Sequence, residues 1–301
     1  MKLTEALDAL CIATRANGCS PRTVQSYRQK IAPMIEYVGD IDIEDVTVHD
    51  LRAYVATQMD SDLSPFTVAS RIRHAKRLWN FLEEEGLIEE NPADRIRTPH
   101  PKRKTPKGIS REDLKRLLED AQGDDLHDLR DRALILFLAD TGARVGGVCG
   151  LCMEELELEA GLARVTEKGG KTRQVPFTRL TAASLQAWLA AAGIEKGPVF
   201  LGLGPRSEGA LSPSGVHKML SRRAESAGCE GPTNPHAFRH GFAREYLKNG
   251  GDLGTLADLL GHSTVMITKE YYAVFKMQEL QEKHRKHSPV SRLYDEESDG
   301  E

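Results

Sequence analysis

Two basic side chains near the start of one predicted helix are placed to bind a phosphate group. Asn234 and Pro235 predict that start, because asparagine suits the N-cap and proline the first helical position. His236 and Arg239 then stand three residues apart on one helix face, beside the unpaired N–H groups of the first turn. That end of a helix attracts anions even without side chains. An imidazole and a guanidinium added there predict a phosphate site.

The chain beyond this helix brings a second histidine and a tyrosine. The glycine pair at 250–251 ends the helix, and Asp252 can cap a second one. Gly261 closes that second helix, so His262 lies in a loop, nine residues before Tyr271. A histidine–arginine pair or a lone tyrosine is usually structural. Only the order and spacing of these four residues together therefore indicate a function.

Three motifs in this order resemble the second half of the catalytic domain of the tyrosine recombinases, the phage-integrase or Xer-like family. They are HAFRH, LLGH and a tyrosine nine residues past the Gly-His pair. The TGAR-V…GL segment around Arg144 resembles the first arginine box of that family, TGxRxxE..GL. The segment GLARVTEKGGKTRQVPF predicts two strands joined at Gly169 and Gly170. Lys168 holds the position of the family's catalytic lysine on such a hairpin, 24 residues after Arg144.

The resemblance implies a site-specific recombinase that breaks and rejoins DNA through a 3′-phosphotyrosyl intermediate and exchanges strands at a four-way junction. Tyr271 would be the nucleophile, which splits one transfer into two and retains the bond for religation. Arg144 and Arg239 would each grip the phosphate in a bidentate manner that lysine cannot match. Preorganised donors of this type contribute about 3–4 kcal/mol each to transition-state stabilisation.

Proton transfer and further phosphate contacts would come from three other residues. Lys168 would be the general acid toward the 5′-oxygen, and such donors typically contribute about 10²–10⁴-fold. His236 and His262 would hydrogen-bond the phosphate or help take the tyrosyl proton. With this many donors the reaction requires no metal, no ATP and no other cofactor. The CxxC of Cys149 and Cys152 lacks a companion cysteine or histidine pair, which favours buried helix cysteines over a metal site.

The sequence departs from the family pattern in two places. The family usually carries an acid three positions after the first arginine, where this chain has Gly147. Loss of that acid would slow the reaction or be compensated by another residue. The second departure is the adjacent pair Tyr271 and Tyr272. Spacing from His262 selects Tyr271, whereas YAVF resembles the family's YxHV with Tyr272 first, so Tyr272 stays open as the alternative nucleophile.

Residues 1–96 predict four helices and resemble the SAM-like core-binding domain of the same recombinases. Ser20-Pro21 and Ser64-Pro65 each combine an N-cap serine with proline at the first helical position. The segments SPRTVQSYR and SPFTVASRIRHAKRLWNFL match that domain's pattern. One face of the last helix is apolar, and the opposite face either is solvated or lies against the DNA backbone. Its cations are Arg71, Arg73, Lys76 and Arg77.

A basic, proline-rich linker follows at residues 97–108, RTPHPKRKTPKG. Proline disfavours regular helix and strand there, and the charges keep the segment in water or against phosphate. The candidate DNA contacts of the linker are Lys102, Arg103 and Lys104.

Residues 109–290 predict an α+β catalytic domain of helices with a small β-hairpin or sheet. The predicted fold class is therefore mainly α, and the resemblance implies the tyrosine recombinase fold. On the hairpin, Lys171 and Arg173 complete the predicted DNA contacts. Residues 291–301 form an acidic tail that is predicted to be disordered.

Charge and hydropathy permit DNA binding without requiring it. The formal net charge is −4, but five of the acids stand in the last seven residues and basic residues cluster locally. Local patches, rather than the total charge, neutralise phosphates. No apolar run approaches the ~20 residues of a membrane helix, and the N-terminus lacks a signal-peptide core. We therefore expect a cytoplasmic location and no membrane contact.

The resemblance also implies partners. They are double-stranded DNA at a specific recombination site and further copies of the chain, which form a tetramer in the synaptic complex. A type IB topoisomerase would share the tyrosine and arginine chemistry but would nick and reseal one duplex. A catalytically impaired DNA-binding relative is another possible function, and Gly147 is its one hint. The sequence leaves open whether the reaction integrates a mobile element or resolves chromosome dimers.

Overall fold

Helices make up most of the structure, a computed structural model that describes residues 1–101, 106–167, 170–204 and 209–261. Within these ranges there are eleven α-helices and one three-stranded sheet, which confirms the predicted fold class. The chain divides into two units, Met1–Lys104 and Thr105–Glu301. Among the helices described, none is both long enough and apolar enough to cross a membrane.

Several predicted positions lie outside the described residues, so the structure does not test them. These positions are Lys102, Arg103, Lys104, Lys168, His262, Tyr271, Tyr272 and the tail at 291–301.

The first unit contains four helices with one shared core. They are α1 (Leu3–Ala16), α2 (Pro21–Val38), α3 (Val48–Met59) and α4 (Pro65–Glu84). Both predicted Ser-Pro starts are confirmed, because the Ser20 and Ser64 side chains accept hydrogen bonds from backbone N–H groups of α2 and α4. The apolar stripe of α4, which includes the fully buried Leu78, Trp79 and Leu82, packs against the other three helices. Burial of this stripe stabilises the unit.

In the part that the structure describes, the second unit combines seven helices with a small antiparallel sheet. The helices are α5 (Arg111–Asp120), α6 (Leu126–Thr141), α7 (Val145–Cys149), α8 (Arg179–Ala192), α9 (Pro213–Ser226), α10 (Pro235–Lys248) and α11 (Leu253–Leu260). The strands are β1 (Leu156–Glu157), β2 (Leu162–Thr166) and β3 (Thr172–Pro176), in that order across the sheet. The predicted β2–β3 hairpin is confirmed, with Ala163 opposite Val175 and Val165 opposite Arg173. The short edge strand β1 was not predicted.

Helix α6 lies at the centre of the second unit. It carries a run of side chains with no solvent exposure, including Leu134, Phe137 and Leu138. A helix that is apolar on most sides belongs in a core, and α8 and α10 pack against α6. These contacts set the positions of α10, which carries His236 and Arg239, and of the end of α6, which Arg144 follows.

A buried carboxylate joins α9 to α6. Asp131, with no solvent exposure, accepts hydrogen bonds through Oδ1 from Nε and Nη2 of Arg130, at 3.0 and 2.6 Å. Its Oδ2 accepts from Nε of Arg223 at 2.9 Å and from Nη2 of Arg222 at 3.3 Å. A buried charge requires such partners, because its desolvation cost is otherwise not offset.

The cysteine at the end of α7 belongs to the core. Cys149 is 8% exposed, and burial raises the pKa of its thiol to about 11. Its thiol is therefore protonated at neutral pH. This environment agrees with the prediction of a buried helix cysteine.

Helix α11 packs on α10 through a small cluster of its own. The cluster consists of Ala243 and Leu247 from α10 with Leu256 and Leu260 from α11, and it is separate from the main core of the unit. Asp252 caps the helix by accepting from the Thr255 N–H, and Gly261 ends it in the left-handed conformation, at φ +64°. Both predicted ends of this helix are confirmed.

Candidate active site

Arg144 occupies the junction between α6 and α7. Gly142 ends α6 with a φ of +58°, a conformation that favours glycine. A Cβ added at Gly142 would lie 2.6 Å from Cδ1 of Phe242, so the close approach of α10 also requires glycine here. Arg144 then takes the N-cap position of α7 in an extended conformation. The turn at Gly142 therefore sets the backbone position of Arg144.

Arg239 and His236 lie in the first turn of α10, as predicted. Asn234 caps the helix by accepting a hydrogen bond from the Ala237 N–H at 3.1 Å. Arg239 is only 5% exposed. Its guanidinium donates to the carbonyl oxygen of Gly142 at 2.9 Å and to that of Leu260. Arg239 thus connects α10 with the C-terminal ends of α6 and α11.

One cavity of about 410 Å³ brings these residues together. Arg144, His236 and Arg239 all line it, together with Gly147 and Glu167. Three of the six predicted catalytic residues therefore converge on one cavity. The other three predicted residues, Lys168, His262 and Tyr271, lie outside the described ranges.

Glu167 is a buried acid in this cavity that the sequence analysis did not identify. It follows β2 directly, and its side chain is 6% exposed. Its Oε2 forms an ion pair with Nη1 of Arg144, and its Oε1 lies 3.1 Å from Nη2 of Arg173. Its backbone N–H donates to the carbonyl oxygen of Lys171 at 2.8 Å, which extends the hairpin pairing beyond Thr166. The carboxylate therefore places two guanidinium groups side by side.

The two predicted DNA contacts of the hairpin lie in different environments. Lys171 is exposed. Arg173 has a side chain that is only 12% exposed, and it bonds to Glu167 and to the carbonyl oxygen of Leu259. Burial lowers the pKa of Arg173 to about 10, so the group stays protonated at neutral pH. Arg173 thus holds the hairpin to the end of α11.

The pKa of His236 is lowered by desolvation and by nearby positive charge. The charges are those of Arg239, His217 and Arg144. On the same helix, the pKa of His240 is lowered by burial and by the charges of His236 and Arg239. Both imidazoles are therefore neutral at pH 7. A neutral His236 is able to accept a proton or a hydrogen bond.

The four cations of α4 differ in their surroundings. Arg73 is exposed. Arg71 donates to Oε1 of Gln58 at 2.8 Å, and Lys76 donates to the carbonyl oxygen of Ile96 at 2.9 Å. Arg77 pairs with Glu84 at 2.9 Å. Three of the four are thus engaged within the first unit.

Sequence comparisons identify relatives along most of the chain. Residues 107–278 match the model of the phage integrase family, and residues 14–86 match the model of the phage integrase N-terminal SAM-like domain. The tyrosine recombinase XerD of Shewanella oneidensis is 31% identical over 285 residues, covering 91% of this chain and 93% of the relative. The chain belongs to the phage integrase family.

A second relative and several solved structures agree with this assignment. The tyrosine recombinase XerC of Xanthomonas campestris is 33% identical over 256 residues, covering 84% of this chain and 78% of the relative. The structure of a lambda integrase dimer bound to a COC′ core site superposes with a TM-score of 0.74 at 20% identity, covering 90% of this chain and 77% of that one. The XerH recombinase bound to its difH substrate gives a TM-score of 0.70 at 20% identity, covering 93% and 82%. Likeness at such low identity shows the fold.

This phage integrase family member is a site-specific tyrosine recombinase, an enzyme that breaks and rejoins DNA strands. The relatives favour that function over a type IB topoisomerase and over a module that only binds DNA.

Proposed function

We propose that this recombinase cleaves DNA by attack of Tyr271 on a phosphate held in the 410 Å³ cavity. The phenolic oxygen forms a bond to phosphorus while the bond from phosphorus to the 5′-oxygen breaks, which leaves a 3′-phosphotyrosyl ester. Attack of a free 5′-hydroxyl from another strand reverses the step and releases the tyrosine. The observation that supports this site is the convergence of Arg144, His236 and Arg239 on one cavity.

Arg144 and Arg239 neutralise the non-bridging oxygens of the phosphate. Arg239 is well suited to this role because hydrogen bonds to two backbone carbonyls already orient its guanidinium. A donor that is held in place before the reaction needs little reorganisation in the transition state. Arg144 lines the same cavity from the start of α7.

We assign proton transfer to three further residues of the predicted catalytic set. Lys168 follows Glu167 directly in the chain and donates a proton to the leaving 5′-oxygen. His236, which is neutral at pH 7, hydrogen-bonds the phosphate or takes the tyrosyl proton, and His262 supplies a further donor. These side chains supply both charge neutralisation and proton transfer, so we expect cleavage to proceed in the presence of EDTA.

Both units would contact DNA through exposed cations. We assign phosphate contacts to Arg73 on α4 and to Lys171 on the hairpin, because both side chains are exposed. The linker cations Lys102, Arg103 and Lys104 are proposed to contribute as well. We assign Arg173 to support of the hairpin instead, because it is buried against Glu167.

The salt dependence of binding tests the α4 assignment. Arg73→Ala should lower the slope of log K against log salt by about 1, since each lost phosphate contact releases one fewer counterion. Arg28→Ala, at an exposed arginine of α2 that pairs with Asp8, is the matched control and should leave the slope unchanged. Equal slopes for Arg73→Ala and the wild type would remove Arg73 from the interface.

We further propose that residues 1–96 act as the core-binding domain, residues 97–108 as the linker and residues 109–290 as the catalytic domain, with an acidic tail at 291–301. Four copies would synapse two specific sites in the cytoplasm and exchange strands at a four-way junction. The DNA complexes of lambda integrase and XerH support a DNA substrate for this chain.

Covalent trapping on nicked DNA tests the nucleophile. A nicked duplex, built on a site selected by this protein from a random library, loses a short fragment after cleavage and leaves the protein esterified to the strand. We expect an adduct with the wild type and with Tyr272→Phe but none with Tyr271→Phe. The reverse result would transfer the nucleophile to Tyr272, and no adduct with the wild type would leave a protein that only binds DNA.

A second assay separates recombination from simple nicking and resealing. Two intact duplexes that carry the same site should yield four-way junctions, detected by gel electrophoresis. Relaxation of supercoiled DNA without any junction would instead indicate topoisomerase-like activity.

A further inference from the structure

Glu167 joins two guanidinium groups with separate oxygens. Oε2 contacts Nη1 of Arg144, while Oε1 lies 3.1 Å from Nη2 and 3.3 Å from Nε of Arg173. The carboxylate is 6% exposed and the Arg173 side chain 12% exposed, so solvent screens the second contact little. The two guanidinium groups offset the desolvation cost of burying this carboxylate.

The same contacts extend from the hairpin to the end of α11. Arg173 donates to the carbonyl oxygen of Leu259, and a Cβ added at Gly261 would lie 2.8 Å from Cδ of Arg173. The arginine thus packs closely against the residue that precedes His262 in the chain. Glu167 itself precedes Lys168. Glu167 thus contacts Arg144 directly, and through Arg173 it is connected to the end of α11.

Gly147 leaves room for this arrangement. A Cβ at position 147 would lie 3.4 Å from Cβ of Val165, 3.4 Å from the carbonyl oxygen of Thr166 and 3.7 Å from Cγ of Glu167. A longer side chain at 147 would therefore extend toward the space that the Glu167 side chain fills. Acids at both positions would also repel each other in a buried site. The site therefore accommodates one carboxylate, either at position 147 or at position 167.

We propose that Glu167 is a positioning residue for Arg144, supplying from the hairpin the acid that is absent at Gly147. The carboxylate orients the guanidinium of Arg144 toward the phosphate and thereby joins the hairpin to the start of α7. The inference rests on the proposed role of Arg144 in phosphate binding.

Single-turnover cleavage of the nicked duplex tests this role. Glu167→Gln keeps the side-chain shape but removes the charge, and we expect the rate of adduct formation to fall about 10²-fold, as for other misplacements of a reacting group. DNA affinity, measured by fluorescence anisotropy, should stay close to that of the wild type. Glu157→Gln, at an exposed acid of β1 in the same sheet, is the matched control and should cleave at the wild-type rate.

Two further variants separate positioning from general stability. Moving the acid, with Gly147→Glu and Glu167→Gly in one chain, should restore most of the lost rate. In an Arg144→Ala background, Glu167→Gln should cause little additional loss, because the group that it positions is absent. If Glu167→Gln does not fold, Glu167→Asp, which draws the carboxylate back from both arginines, should show reduced cleavage at an unchanged DNA affinity.

Defined outcomes overturn the inference. A wild-type cleavage rate for Glu167→Gln, or equal losses with and without Arg144, would exclude a positioning role. Failure of the wild-type protein to form any adduct would instead refute the proposed function, so the two failures are distinguishable.

Discussion

Arg239 donates a hydrogen bond to the carbonyl oxygen of Gly142, 97 positions earlier in the chain. The contact joins the first turn of α10 to the residue that ends α6, and a second bond reaches Leu260 at the end of α11. One buried guanidinium therefore links three helices around the cavity. The same contacts that stabilise this part of the fold also orient the group proposed to bind the phosphate.

Replacement of Arg239 by lysine should impair cleavage much more than DNA binding. Lysine keeps the charge but loses the planar fork that reaches the Gly142 and Leu260 carbonyls. We expect the rate of adduct formation to fall about 10²–10³-fold, as for loss of one transition-state donor. Arg244→Lys, on an exposed position of the same helix, is the control and should retain the wild-type rate. Equal rates for both variants would contradict the role of Arg239.

Gly142→Ala should destabilise the second unit more than Gly193→Ala does. Both glycines have left-handed conformations, at φ +58° and +63°, so alanine costs about 1–2 kcal/mol at either position. Only at Gly142 does the added Cβ also collide with the Phe242 ring, at 2.6 Å, for about 1–3 kcal/mol more. Urea unfolding, followed by fluorescence of the buried Trp188 in a Trp79→Phe background, gives the two free energies. Equal losses of unfolding free energy for the two variants would show that the contact with Phe242 does not contribute to the destabilisation.

Asp131→Ala should be among the more destabilising substitutions in the second unit. The carboxylate has no solvent exposure, and its removal leaves Arg130 and Arg223 without their shared counter-charge. Breaking a buried pair in this way costs about 3–5 kcal/mol. The exposed Asp8–Arg28 pair of the first unit offers the comparison, and Asp8→Ala should cost at most about 1 kcal/mol. Thermal melting of both variants tests the difference, and a small loss for Asp131→Ala would contradict it.

The free energy of unfolding should fall as the pH decreases from 7 to 5. The pKa values of His236 and His240 are lowered in the folded protein, so the unfolded chain binds protons more readily in this range. The stability that the two neutral imidazoles contribute is fully present above the pKa of the unfolded chain, about 6.5. It is lost as the pH falls below that value. His240→Gln should therefore flatten the pH dependence, measured by urea unfolding at pH 7.5 and 5. If the substitution leaves the pH dependence of the unfolding free energy unchanged, other titratable groups cause that dependence.

Local sequence signals predicted the helix starts and three residues that line the cavity. Ser20, Ser64 and Asn234 cap the helices as predicted, because capping depends on residues within one turn. Arg144, His236 and Arg239 converge because their motifs already mark the ends of buried helices. Tyr271 and Tyr272 lie outside the described residues, so the choice between them stays a prediction.

The environment of Arg173 and the role of Glu167 were not predicted, although strand alternation contained a signal. Residues two apart in a strand point to the same face. Ala163 and Val165 are buried on β2, and Glu167 is the next residue on that face, just as Arg173 stands two residues before the buried Val175 on β3. Charge alone suggested Arg173 as a DNA contact. The charged partner of Arg173 depends on the long-range packing of α7 and α11. No local sequence pattern encodes that packing.

The small apolar cluster of α11 has a consequence for local stability. Only Leu256 and Leu260 of that helix join the fully buried cluster with α10, so little apolar area opposes its release. Arg173 and Arg239 bond to the last two carbonyl groups of the helix, and both belong to the surroundings of the phosphate site. A DNA phosphate bound by Arg239 would thus change the free energy of detaching α11. We therefore expect α11 to detach more readily than the main core of the unit unfolds.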